Sequence, residues 1–170
     1  MFLKKILISF AAVNLFFFSF CLNAEEQKKY CAFCDPDVID NQKYYEDELV
    51  CVLYTYKPVF PGHSLIIPKR HVERFEELTE KEILHIMRAI KKVNVAAEKT
   101  YKVSSYLILQ KNGHEVGQTV PHVHFHYIPR KSCDDSIIKF FYKMFTSQIK
   151  KPLTKEKIKI EVRKLKENIL

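Results

Sequence analysis

Glycine is scarce in this chain: three residues in 170, Gly62, Gly113 and Gly117. A glycine-rich phosphate loop cannot be built from them, and no repeating strand–helix–strand pattern accompanies them, so P-loop and Rossmann architectures are excluded. With seven prolines, 47% hydrophobic residues and 28% charged residues, the chain is neither collagen-like, low-complexity nor disordered by composition. No internal repeat of useful length is found. The length suits one domain that buries roughly 70% of its unfolded surface, and two ordinary domains would not fit.

The formal charge is +8 and is unevenly placed. Residues 150–170 carry eight lysines and arginines against three glutamates, so most of the excess sits in the tail. A basic tail suits phosphate-rich partners or an anionic membrane surface. Leu153, Ile158, Val162, Leu165 and Ile169 also fit one helical face, and a solvated helix docked by its apolar side is the favoured expectation.

At the other end, Lys4 and Lys5 precede an apolar run of 17 residues, Ile6 to Leu22, before Asn23-Ala24-Glu25-Glu26 turns polar. This is a signal-peptide layout, short of the roughly 20 residues that span a bilayer comfortably. The expected division is a signal peptide or N-terminal anchor over 1–24, a domain over 25–149 and a basic helical tail over 150–170. The protein is accordingly expected to be exported, secreted or periplasmic, or held at a membrane by its N-terminus, with membrane contact through that segment or the tail.

Beyond residue 24 four cysteines remain: Cys31, Cys34, Cys51 and Cys133. Cys51 lies in an alternating apolar run and reads as a buried small hydrophobe. Cys31-Ala32-Phe33-Cys34 can turn both thiolates onto one tetrahedral metal, or form a redox pair or disulfide. Residues 49–56 and 63–67 read as strands joined by a proline-stiffened connection, and 105–110 and 122–128 as two more. Thr79 and Glu82 form a capping box before Ile83, Ile86, Ile90, Val93 and Ala97 at helical spacing, which predicts a helix over about 80–99. A shorter helix is expected over 136–149. Strands, one helix, strands again and a C-terminal helix imply an α+β fold with a mainly antiparallel sheet.

Three of the seven histidines fall in one six-residue stretch, His122-Val123-His124-Phe125-His126-Tyr127. Strand alternation puts the imidazoles on one side and the apolar residues in the core. Packing alone does not ask for this, since each buried ring needs a polar partner. Alternate histidines suit a metal centre, or a nucleophile whose neighbours set its tautomer and stabilise negative charge. Each glycine adjoins a polar candidate, His63, Asn112 or Gln118, where backbone can approach a ligand closely; the company favours the nucleophile.

The stretch Gly117-Gln118-Thr119-Val120-Pro121-His122-Val123-His124-Phe125-His126, completed by Tyr127 and Ile128, resembles the signature of the histidine triad (HIT) superfamily, in which histidines alternate with apolar residues. Lys57 to Phe75, KPVFPGHSLIIPKRHVERF, resembles the family's other block, in particular its fragile-histidine-triad, dinucleoside polyphosphate hydrolase-like branch. The likeness runs from about Tyr30 to Lys131. It implies a HIT-like α+β fold, a mainly antiparallel five-stranded sheet with one long helix and a C-terminal helix, and normally a homodimer.

The resemblance further implies an enzyme, a nucleotide hydrolase or transferase that cleaves dinucleoside polyphosphates or related nucleotidyl substrates at the α-phosphorus through a nucleotidyl-histidine. By match to the motif, His124 is the nucleophile. His126, His63 and Gln118 are the other catalytic residues; Asn112, Gly117, Gln118, Thr119 and His126 bind nucleotide or phosphate. In a zinc-bearing subset, a C-x-x-C joins two histidines in a structural site, here Cys31, Cys34, His71 and His122. Magnesium would accompany the substrate phosphates, and no specific nucleic-acid partner is implied. His85 and His114 are expected to be bystanders. Thr55 departs from the branch, which has a ribose-contacting asparagine there. Nucleoside phosphoramidate hydrolysis, or a non-catalytic nucleotide- or zinc-binding module, are the alternatives.

Overall fold

The segment between the first cysteines and the first strand carries a helix-start signal in Asp35-Pro36. In a computed structural model of the chain, which describes residues 30–132 and 136–169, helix α1 spans Pro36–Gln42, with the Asp35 carboxylate accepting from Asp37 N–H at 2.9 Å. Proline costs nothing there because the first helical N–H groups have no intrahelical acceptor. Strands β1 (Lys43–Glu46), β2 (Val50–Tyr54) and β3 (Ser64–Pro68) follow. The long helix α2 occupies Glu80–Tyr101, then come β4 (Ser105–Gln110), β5 (Phe125–Arg130), α3 (Ile137–Thr146) and α4 (Lys155–Lys166). The five strands form one sheet in the order β1-β2-β3-β5-β4, every pair antiparallel.

Register divides the sheet into two working faces. Val52 pairs with Ile66 and Ile66 with Phe125, while Ser64 pairs with Tyr127; Val52, Ile66, Phe125 and Tyr127 join the core beneath α2, with Ile86, Ala89, Val93 and Ala97 from the helix. The alternate residues, Cys51, Leu53, Leu65 and Ile67, point the other way and form a second cluster with Phe33 and Ile39. Leu65 pairs with His126. One face is therefore helix-covered hydrocarbon, and the opposite one carries histidine beside the Cys-x-x-Cys segment. Cys51 is 4% exposed, the small hydrophobe expected of it.

Helix α2 begins where expected and runs two residues further, to Tyr101. Its capping box is complete: Thr79 Oγ1 accepts from Glu82 N–H and Glu82 Oε2 accepts from Thr79 N–H, at 3.2 and 2.8 Å. Arg70 adds a two-pronged contact to the same carboxylate, Nε to Oε1 at 3.0 Å and Nη2 to Oε2 at 2.8 Å.

Helix α4 docks by the apolar stripe read from the tail. Leu165 is fully buried in the main core, with Leu153, Val162 and Ile169 packed against it. Residues Cys31–Leu170 form a single compact unit, the tail included. The expectation for 136–149 shortens to α3 and a 3₁₀ turn over Ser147–Ile149.

The strand expected from His122 starts at Phe125. Pro121 has no N–H to give, His122 N–H turns onto the Val120 carbonyl at 2.8 Å, and Val123 N–H bonds the Val72 carbonyl at 2.7 Å. Alternation nevertheless persists through this irregular stretch, with Val123, Phe125 and Tyr127 all in the core under α2. Residues 1–24, and Cys133 with its neighbours 134 and 135, lie outside the described residues.

Candidate functional site

Two sites grow from the histidine face, and hydrogen bonding sets the tautomers in both. His124 Nδ1 lies 2.7 Å from the His122 carbonyl. A carbonyl only accepts, so Nδ1 carries the proton and Nε2 keeps its lone pair. Val59 N–H donates to His63 Nδ1 at 3.1 Å, which puts the His63 proton on Nε2. That Nε2–H faces His126 Nδ1 at 3.0 Å. His126 is thereby left with its proton on Nε2. The result is a directional chain from Val59 through His63 to His126, beside a His124 whose bare nitrogen is Nε2.

Burial keeps these rings neutral. His63 is pushed down to about 3, first by loss of water and then by the neighbouring His124 charge. His126 is pushed down to about 2, again mainly by burial, with His63, His124 and Lys111 adding repulsion. Burial also lowers His124, opposed by its bond to the His122 carbonyl. A neutral imidazole with a free nitrogen is the form that attacks an electrophile.

His63, His124 and His126 line one cavity of about 430 Å³ with Thr55 and Thr119. Phe33 sets its ring edge-on to His124, with centroids 5.1 Å apart. The side chains of Gln118 and Asn112, also expected to bind, make hydrogen bonds to the neighbouring loops. Gln118 accepts from Gly113 N–H at 2.7 Å and donates to the Glu73 carbonyl at 2.9 Å. Asn112 accepts from Phe75 N–H and donates to Glu76, both at 2.8 Å. Gly117 closes a 3₁₀ turn at φ +82, a left-handed backbone that favours glycine. Neither Asn112, Gly117 nor Gln118 is among the residues lining the cavity. His85 is tied to Asp47 at 2.9 Å, and exposed His114 sits in the loop, both away from the cavity.

The second site is a cluster of four donors. One donor atom each from Cys31, Cys34, His71 and His122 falls within 4.8 Å of all the others. Cys34 N–H bonds the Cys31 carbonyl at 3.0 Å, the turn that brings both sulfurs together. His122 Nε2 donates to the Pro68 carbonyl at 3.0 Å, freeing Nδ1, which lies 3.4 and 3.6 Å from Cys31 and Cys34 Sγ. His71 Nδ1 is 3.4 Å from Cys34 Sγ, and its Nε2 faces Glu73 at 3.7 Å. A tetrahedron with zinc–ligand bonds of 2.0–2.3 Å has edges of about 3.3–3.8 Å, so the spacing and the soft donor set fit such an ion. No disulfide joins the two cysteines.

Sequence reasoning missed α1, which brings Gln42 to the cavity, and the C-terminal wall, where Leu153 and Ile158 stand. The Asp35-Pro36 pair was a usable signal for the helix. Nothing local in the tail announces that it reaches the histidine face.

Comparisons with known proteins agree with this geometry. The chain matches the HIT domain over residues 37–133. It is 40% identical over 98 residues to the bis(5'-nucleosyl)-tetraphosphatase [asymmetrical] of Schizosaccharomyces pombe, covering 58% of this chain and 54% of that protein, so it spans about half of that relative's length. An uncharacterized HIT-like protein of Methanocaldococcus jannaschii is 38% identical over 112 residues, covering 65% of this chain and 86% of that one. The crystal structure of a Zn-bound histidine triad family protein from Mycobacterium smegmatis shares the fold, with a TM-score of 0.63 at 22% identity over 81% of this chain and 91% of that one.

These findings also correct the expectation of export or membrane anchoring. The relatives are a tetraphosphatase and a HIT-like protein, and among the described residues no helix is long and apolar enough to cross a membrane. The physical reason is that a crossing needs about 20 consecutive apolar residues, whereas α2, the longest helix described, alternates its apolar stripe with charge. Residues 1–24, on which the expectation rested, lie outside the described residues. With its five-stranded antiparallel sheet, its alternating histidines on one face and its match through the whole of that region, this chain belongs to the HIT family.

Proposed function

We propose that the chain is a nucleotide hydrolase that cleaves dinucleoside polyphosphates or related nucleotidyl substrates at the α-phosphorus through a nucleotidyl-histidine on His124. The observation that carries this reading is the tautomer of His124: its Nδ1 proton is committed to the His122 carbonyl, so Nε2 is the bare nitrogen of a ring lining the cavity. Nε2 attacks phosphorus, a P–N bond forms, and the bond to the departing phosphate oxygen breaks with its electron pair on that oxygen. Water then attacks the same phosphorus, breaks the P–N bond and returns the nitrogen to its starting state. His126 Nε2–H donates to a non-bridging oxygen, and His63 is a positioning residue that holds His126 in the donating tautomer. Thr119 binds phosphate from the cavity wall, while Asn112, Gly117 and Gln118 fix the loop that carries it.

Cys31, Cys34, His71 and His122 would hold a structural zinc. When bound, the ion supplies a closed tetrahedral tie between the Cys-x-x-Cys turn and the sheet. Phe33, between the two cysteines, transmits that tie to the cavity by packing on both His122 and His124. A homodimer belongs to the same proposal, supported by β4 at the sheet edge, whose strand partner is β5.

The test is intact-mass spectrometry during turnover of a dinucleoside polyphosphate, with His124→Ala in parallel. The reading expects a nucleotide-sized adduct on the unaltered protein alone, and a kcat lower by roughly 10³-fold or more in the variant. Turnover that survives His124→Ala at an undiminished rate would sink it. A panel including nucleoside phosphoramidates separates the substrate classes.

A further inference from the structure

The cavity extends past the histidines into a part of the fold that the HIT match, ending at residue 133, does not cover. Its far wall is built from the C-terminal segment. Leu153 is pinned there by its N–H, which donates to the Tyr56 carbonyl at 2.9 Å. Ile158, in the first turns of α4, is 5% exposed and lines the same space.

At the last residue of α1, the helix that packs against α4, stands Gln42. It is 9% exposed and lines the cavity, and among the described residues no hydrogen bond reaches its side-chain amide. The amide atoms stay within reach of water rather than sealed in the core, and the cavity is the open space that Gln42 lines. Its donor and acceptor lie side by side, the pattern that pairs with the edge of a purine. The neighbouring wall is hydrocarbon, Phe33, Val38, Leu153 and Ile158, which suits the flat face of a ring rather than a phosphate. Lys155, the cation that the C-terminal segment adds to this wall, is exposed.

We infer that Gln42 and the C-terminal segment around Leu153 and Ile158 are specificity-determining residues that read the nucleobase: the apolar side chains cover the ring and the Gln42 amide pairs with its hydrogen-bonding edge. This rests on the reading of the substrate as a nucleotide. It assigns base discrimination to a stretch of chain outside the family region and to a residue beyond the histidine signature.

Equilibrium binding to the full chain tests the inference without requiring turnover. The probes are adenosine 5'-monophosphate, guanosine 5'-monophosphate and purine riboside 5'-monophosphate, which lacks the exocyclic group. The unaltered protein is expected to bind the better of the first two about fivefold more tightly than the third, the worth of one net hydrogen bond. Gln42→Leu should bring all three within about twofold of one another, while Leu153→Ala should weaken all three by about threefold or more and keep their order. The two variants give different signatures, so a general loss of fold cannot imitate the result, and thermal melts of each confirm folding.

Retention of the full preference in Gln42→Leu would overturn the inference, as would absence of any preference in the unaltered protein. Turnover of a dinucleoside polyphosphate, measured on the same protein preparations, separates the two readings. A Gln42-dependent preference without turnover removes the hydrolase and leaves base reading intact. Turnover with a preference indifferent to Gln42 removes base reading alone, and failure of all three nucleotides to bind removes both.

Discussion

At the scale of single residues the site depends on which nitrogen holds each proton. His63 and His126 are neutral in the folded chain to about pH 3 and about pH 2, while in the unfolded chain they protonate near 6.5. Below 6.5 the unfolded state therefore binds more protons, and stability rises with pH through that window and falls on acidification. Melts at pH 5 should lie below those at pH 7, and His63→Gln should flatten the difference. An unchanged midpoint between these pH values would contradict the neutral chain. His63→Leu removes the Nε2–H that sets His126, so kcat should fall by roughly 10–100-fold while KM moves by less than about threefold.

The three histidines were legible because Val123, Phe125 and Tyr127 alternate with them and fill the core. Their tautomers were not, since they depend on the Val59 N–H and on the His122 carbonyl, which only the folded backbone brings into place. Gln118 and Asn112 illustrate the other gap. A polar side chain beside a glycine reads the same in sequence whichever groups it bonds, and the partners Gly113, Glu73, Phe75 and Glu76 are brought to these two by the fold.

At the scale of elements, α2 is the part that local chemistry specifies most fully. Thr79→Ala should cost about 1 kcal/mol, the worth of an N-cap. Glu82→Ala should cost more in the same urea titration, because it removes both half of the capping box and the carboxylate that Arg70 grips through two nitrogens. Equal losses would show Arg70 to be a bystander. Elements with weak local signals were the ones left unread. Strand β1 has four residues, and its register against β2 shifts between Lys43 and Tyr45, so no alternating run of useful length precedes it. Helix α1 is seven residues long and owes its place to packing more than to propensity. The late start of β5 has a local cause in Pro121, yet where each N–H goes instead is decided by Val72, distant in sequence.

At the scale of the whole molecule, one device holds the C-terminal segment to the sheet, and a bound metal would make a second at the Cys-x-x-Cys turn. The C-terminal one is hydrocarbon: Leu165 is 0% exposed in the main core, and Leu165→Ala should destabilise the fold by about 2–5 kcal/mol. The N-terminal one is the four-ligand cluster. Stripping metal with a strong chelator should lower the thermal midpoint and weaken nucleotide binding together, through Phe33, and one equivalent of zinc should restore both. Cys31→Ser should reproduce the loss and resist the rescue. A chelated protein with an unchanged melt would remove the structural ion from the proposal.

The order of these parts along the chain has a consequence for synthesis. A ribosome releases His124 and β5 before the segment that walls the cavity, and the core waits for Leu165. The histidine face is therefore made early and enclosed late. A chain cut back to residue 150 would present the three imidazoles and the cysteine turn without Leu153 or Ile158 above them, so closure of the cavity should require the residues that follow.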